Sequence, residues 1–173
     1  MRQLRGDEHH DTLLRFNDLV QFYVNQDRYE EAQELFNEAI PIARKLFRKE
    51  HPLTLSFVNA YAVLHTKQGQ YDQAEKLFDE ALKGRQRELG DDHPSTLETK
   101  NDLAVLYKEQ GDYVKAEPLL LEAVEGRRLK LGDTHPHTQQ SLKNLIDLYE
   151  AWDKPEKAEQ WRAKLPQTEA VRE

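Results

Sequence analysis

The sequence predicts an all-α protein, an array of four helix–turn–helix repeats, and three observations carry that reading. His51-Pro52, His93-Pro94 and His135-Pro136 lie 42 residues apart, and one more step back falls on His9-His10, which keeps the His and replaces the Pro. Residues at this period form columns: Ala32, Ala74, Ala116 and Ala158 are one, and Tyr23, His65, Tyr107 and Tyr149 another. Within each unit apolar residues recur at helical spacing, and no stretch sustains period-two alternation, so no sheet is expected.

The units run about 9–50, 51–92, 93–134 and 135–165. In the third, Pro94 suits the first turn of a helix, where its missing N–H is no loss, and Leu97, Leu103, Leu106 and Tyr107 follow at i, i+3, i+4 spacing. Gly111-Asp112 makes the turn. A second helix follows from about Tyr113 to Lys130, with Leu119, Leu120, Ala123, Val124 and Leu131 on its apolar side, and Gly132 stands where a left-handed cap is wanted. The fixed Ala marks a close approach of two helices, and the column Leu19, Tyr61, Leu103, Leu145 fills the facing space.

The departures are informative. Arg48 replaces the Gly of Gly90 and Gly132, and Pro41, late in a second helix, predicts a kink. In the fourth unit Arg162 takes the column of Phe36, Phe78 and Leu120, and Pro155 that of Tyr29, Tyr71 and Tyr113. The last helix is therefore expected to be shorter and more polar, as a terminal unit requires. Residues 1–166 are read as a single domain and 167–173 as a disordered tail. The first unit has no polar cap and carries Phe16, Leu19, Phe22 and Phe36, so it is expected to meet a partner or a preceding repeat.

Composition narrows the function classes. Of 173 residues, 33% are charged and 38% hydrophobic, the formal net charge is −7 and mean hydropathy is −0.90. No run of basic residues with interleaved aromatics exists to neutralise phosphates, which argues against nucleic acid. Cys is absent, which removes disulfides and thiolate chemistry and suits the cytoplasm. No apolar run of about 18 residues is present, and the N-terminus lacks a signal-peptide stretch, so no membrane role is expected.

At this point a family resemblance is visible. His93-Pro94, Asn101-Asp102-Leu103-Ala104-Val105-Leu106-Tyr107, Gln110-Gly111-Asp112-Tyr113, Ala116-Glu117-Pro118-Leu119 and Leu131-Gly132 resemble the 42-residue tetratricopeptide repeats of kinesin light chains and their bacterial relatives. Gly84 and Gly126, inside second helices, stand where kinesin light chains tend to carry a larger apolar residue. The resemblance implies a right-handed superhelical solenoid whose first helices line a concave groove.

Removing the packing columns leaves the groove columns: Asn17, Asn59, Asn101, Lys143, and four residues later Gln21, Val63, Val105, Asp147, with Leu14, Ser56, Glu98, Gln140 at the mouth. An Asn amide carries both a donor and an acceptor, so an Asn column can bond the backbone of an extended peptide whatever its side chains. The resemblance implies that use for Asn17, Asn59 and Asn101. Val63 and Val105 offer apolar contacts, and Lys67, Lys108 and Lys143 attract acidic groups locally. The same Asn column serves equally well to hold unit to unit. A second use in this family clamps a C-terminal carboxylate with Lys, Asn and Arg, but Asn17, Gln21, Asn59, Glu98 and Asp102 occupy the matching positions, and two of these are acids.

Catalysis has no motif to stand on. His9, His51, His93 and His135 recur at the repeat period, which reads as architecture, and His65 takes a packed aromatic slot. No His-Glu-x-x-His, glycine-rich phosphate loop or Gly-x-Ser-x-Gly elbow is present, so no metal, cofactor or enzymatic activity is expected. Trp161 is expected to pack the terminal hairpin and Trp152 to be half exposed. The reading is a protein-interaction module that holds an extended peptide of a protein partner. The alternative is a structural scaffold, or a segment that self-associates through its N-terminal unit.

Overall fold

The computed structural model describes Phe16, Leu19, Val20, residues 22–24 and residues 26–165. After a helical stretch that includes Phe22–Val24, seven helices follow: α1 (Tyr29–Phe47), α2 (Pro52–Lys67), α3 (Tyr71–Leu89), α4 (Pro94–Glu109), α5 (Tyr113–Leu131), α6 (Pro136–Ala151) and α7 (Pro155–Arg162). No strand occurs among the described residues. The chain forms two compact units, Met1–Glu88 and Leu89–Glu173. The 167–173 tail lies outside the described residues.

The recurring His-Pro pair builds the start of each first helix. His51, His93 and His135 are N-caps, and the imidazole Nδ1 of each accepts the backbone N–H two residues on, from Leu53 (3.2 Å), Ser95 (3.1 Å) and His137 (3.2 Å). One of the orphan donors of the first turn is thereby satisfied, and Pro at the next position removes another. Thr54 and Thr96 close the preceding loops by donating to the carbonyls of Arg48 (2.9 Å) and Gly90 (2.8 Å).

The loop residue before this cap requires a left-handed backbone. Gly90 and Gly132 adopt φ of +90° and +86°, and Arg48 is forced to φ 73°, ψ 161°. That region is nearly exclusive to glycine and strains other residues by about 1–3 kcal/mol. Arg48 gains in return an ion pair with Glu88 (3.1 Å), but 69% of its side chain is exposed, so the pair is worth little. Arg48→Gly is therefore expected to stabilise the protein by about 1 kcal/mol after the entropy of the more flexible unfolded chain is counted. Gly132→Ala is expected to destabilise it by about 1–2 kcal/mol. Urea unfolding of both variants checks the opposite signs.

In the first unit Ala32, Phe36, Ala39, Ile40 and Ala43 of α1 pack against Phe57, Val58 and Leu64 of α2. Phe36 stacks on Tyr61 (5.0 Å between ring centroids), and Tyr61 lies against His65 (4.3 Å) and donates its hydroxyl to Asn37 Oδ1 at 2.9 Å. His65 is thus the packed core residue its column predicts. Helix α1 runs on through Pro41, which is exposed.

In the second unit Ala116, Leu120 and Val124 of α5 meet Leu142, Leu145, Ile146 and Tyr149 of α6, and Ala158 of α7 closes the end. Helix α7 has 8 residues against 19 in the other second helices. Trp152 and Trp161 are half-buried and pack against this cluster, as their positions suggest. Tyr149 donates to Glu117 (2.8 Å), which also receives Lys157 (2.7 Å). Burial pushes the Glu117 carboxyl up, but the bonds from Lys157 and Tyr149 outweigh it and hold it below the usual carboxylate range. Lys100 replaces an apolar residue of the Phe16, Val58, Leu142 column and is only 6% exposed. Burial alone would lower its ammonium, but Glu122 (2.8 Å) and Asp91 (3.3 Å) more than offset that and raise it.

Gly84 and Gly126 have a packing cause. A Cβ on Gly84 would lie 2.7 Å from Leu55, and one on Gly126 2.7 Å from Leu97. Both leucines are 1% exposed, so each hairpin closes by letting a leucine of its first helix rest on a bare backbone of its second.

Candidate functional site

The groove columns fall on α2 in the first unit and on α4 and α6 in the second. Asn17 and Gln21 lie outside the described residues. On α2, Asn59 is buried (5% exposed), Val63 is half-buried and Lys67 exposed. On α4, Asn101 is buried (5%), while Val105 and Lys108 are half-buried. Lys143 on α6 is exposed. Lys108 Nζ lies 3.4 Å from Glu109, and no ion pair joins Lys67 or Lys143 to a described residue.

The structure brings Asn101 together with residues the columns did not single out. Its Oδ1 accepts from Ser141 Oγ and Asn144 Nδ2, both at 3.0 Å, and its Nδ2 donates to Asp102 at 3.3 Å. Asn144 in turn accepts from Gln140 (2.9 Å). The acceptor face of the Asn101 amide therefore ties α4 to α6, which is the unit-to-unit role. Asn144 is half-buried, and its neighbour in sequence, Lys143, is exposed.

Sequence reasoning missed two buried arginines. Arg127 of α5 is 5% exposed, and its Nη1 donates to the His137 carbonyl (2.9 Å) and to Ser141 Oγ (2.6 Å). Burial pulls its guanidinium below the ordinary value, while Asp102 and Glu98 pull the other way. Arg85 of α3, 2% exposed, stands one period earlier and donates to Ser56 Oγ at 3.2 Å. The signal was present in the sequence as a pair of arginines 42 residues apart beside the Ala81, Ala123 and Gly84, Gly126 columns.

Comparison with known proteins agrees with the repeat architecture. A family model described as Tetratricopeptide repeat matches residues 53–128, and a second with the same description matches residues 12–53. The chain belongs to the tetratricopeptide repeat family. Solved tetratricopeptide structures place it more closely. It is similar to a kinesin-light-chain-type protein of nearly identical TPR-like repeats from Podosopora anserina (27% identity, TM-score 0.70, 94% of this chain and 77% of that one). A variant of that protein matches at 29% identity and a TM-score of 0.72, over 94% and 78% of the two chains. BtubC (BKLC) from P. vanneervenii shares the fold at 21% identity, with a TM-score of 0.77 over 100% of this chain and 70% of that one. The chain is thus a tetratricopeptide protein of the kinesin-light-chain-like type, with the all-α hairpin fold its sequence predicts. Comparison with the curated proteins finds no match.

Tetratricopeptide repeats are in general protein-interaction modules, and this fold is in general a non-catalytic scaffold. Among the described residues no group of three or more His, Cys, Asp or Glu could hold a metal ion, and no helix is long and apolar enough to cross a membrane.

Proposed function

We propose that the chain holds an extended peptide segment of a protein partner against the exposed faces of its first helices. The supporting observation is the surface of α4 and α6. There the half-buried Val105 and Lys108 and the exposed Lys143 share two helices with Asn144, whose amide is fixed from both ends by Asn101 and Gln140. An amide held in one orientation loses little entropy when it bonds a peptide backbone, and Lys143, which forms no ion pair with a described residue, favours an acidic side chain. Val63 and Lys67 on α2, with Asn59, Asn17 and Gln21, belong to the corresponding columns of the earlier repeats.

The test is a random-peptide display selection on the native chain and on a Val105→Ser/Lys143→Glu variant. Neither residue lies in the core, so stability is expected to stay within about 1 kcal/mol. The native chain is expected to enrich a motif, and the variant to bind its peptides at least about tenfold more weakly. Equal enrichment on both chains would remove this surface from the reading, and enrichment on neither would remove the peptide itself. The alternative, a scaffold that self-associates through its N-terminal repeat, draws on the exposure of Leu19 (40%), Phe22 (50%), Ile42 (38%) and Leu46 (38%) within that one repeat, although Val114 (71%) and Leu129 (77%) of α5 are more exposed. A solution mass that rises with concentration selects it.

A further inference from the structure

We infer that the second unit carries a carboxylate-binding pocket where the N-termini of α4 and α6 meet the C-terminus of α5, with Arg127 as its anchor. The pocket does not rest on the peptide surface proposed above, although the chain of hydrogen bonds from Ser141 through Asn101 to Asn144 joins the two. It has a volume of about 190 Å³ and is lined by Pro94, Ser95 and Glu98 of α4, Arg127 and Leu131 of α5, and His137 of α6.

Arg127 is more than nine-tenths buried, yet only its Nη1 is engaged; Nη2 and Nε make no hydrogen bond to a described residue. Neither nitrogen is among the buried polar atoms left without a partner, so both keep access to the open pocket, where a ligand can reach them. Its free edge has the planar fork that matches a carboxylate. Two helix N-termini, those that begin at Pro94 and Pro136, add partial positive charge at the same place, offset in part by the C-terminal carbonyls of α5, which ends at Leu131.

The loop into α6 also differs from its two counterparts. Thr54 and Thr96 close their loops onto the carbonyls of Arg48 and Gly90, but Thr138, fully buried, has no partner for its Oγ1 among the described residues. The loop beside the pocket therefore lacks the clasp that fixes the other two.

Charge sets the ligand class. Glu98 lines the pocket and Asp102 is near enough to act on Arg127. A dianion such as phosphate doubles both its repulsion from these acids and its attraction to Arg127, so the larger desolvation cost of the dianion is what disfavours it. A single carboxylate, from a small free acid or from an acidic side chain of a partner, is the group that fits. Arg127 is also joined through Ser141 to Asn101 and Asn144, so its occupancy is felt on the α4–α6 face.

The experiment titrates the ¹⁵N-labelled chain with sodium acetate, against sodium chloride at matched ionic strength. The expected result is saturable amide shifts at Ser95, His137 and Thr138 with acetate and not with chloride. Glu98→Gln leaves Arg127 and its bonds in place and removes the opposing charge, so it is expected to tighten acetate binding about threefold to tenfold. Arg127→Lys keeps the charge but not the fork, and is expected to abolish saturation. Shifts equal for acetate and chloride, or no saturable shift in either the native chain or Glu98→Gln, overturn the pocket. An acidic peptide added to the acetate-saturated chain separates the sources: reversal of the acetate shifts assigns the carboxylate to a partner, and their persistence assigns it to a free acid.

Discussion

Gly126→Leu is expected to destabilise the second unit by about 3 kcal/mol. The first added atom alone would stand 2.7 Å from both Cδ1 and Cδ2 of Leu97, and Leu97, at 1% exposure, has little space into which to turn. A better helix former in place of glycine returns about 1 kcal/mol, less than the overpacking costs. Leu97→Ala by itself is expected to cost about 2–5 kcal/mol through lost burial and a residual cavity. Combined, the two substitutions exchange a large and a small residue across one contact and nearly conserve volume. The double variant is therefore expected to be more stable than the sum of the single losses by about 2 kcal/mol. Urea unfolding of the four proteins of this cycle measures the coupling, and additive losses would show that the glycine column is not a packing constraint. The same contact recurs between Gly84 and Leu55, so a parallel cycle in the first unit is expected to give the same sign.

Asn101→Ala is expected to cost about 2–3 kcal/mol, the second large effect. Ser141 is fully buried and its hydroxyl loses its acceptor, while Asn144 loses the partner that orients it. Ser141 is also an acceptor for Arg127, so the loss reaches a buried charge. Asn101→Asp keeps the acceptor oxygen but turns the amide donor to Asp102 into a second carboxylate in a buried place, so it is expected to be at least as destabilising as Asn101→Ala at neutral pH and to recover as the pH falls. Lys143→Ala, on the exposed neighbour, is expected to change it by no more than about 0.5 kcal/mol. Thermal and urea unfolding read these differences directly. A melting temperature unmoved by Asn101→Ala, with peptide binding lost, would reverse the roles and make the residue a ligand contact.

The two roles of the Asn column show where sequence reading reaches its limit. The column itself is legible because a repeat period of 42 places Asn59 and Asn101 at the same helical position. Which way the amide bonds is not, because Asn144 and Ser141 lie 43 and 40 residues further on and meet Asn101 only when α4 packs on α6. Arg127 passed unnoticed for a related reason. Arginine in a polar helix reads as a solvated side chain, and only packing shows that this one is covered on nearly all sides.

Local rules fared better where the chemistry is local. The His-Pro pairs announce helix starts because a cap acts within two residues, and the structure shows the imidazole bonding there three times. Pro155 and the polar residues after it announce a short last helix, and α7 is short. Arg48 shows the reverse case: its column marks the position as one for glycine, and the backbone adopts the glycine conformation regardless.

By itself, the sequence determined the period, the hairpin units, the helix starts, the alanine contacts and the family type. These follow from spacings within one unit or from a pattern repeated in each. Only the tertiary structure decided that Asn101 ties helices together, that Leu97 rests on Gly126, and that Arg127 is buried beside an open pocket. Each depends on which side chains meet across helices, and burial and hydrogen bonding are properties of that meeting rather than of either residue alone.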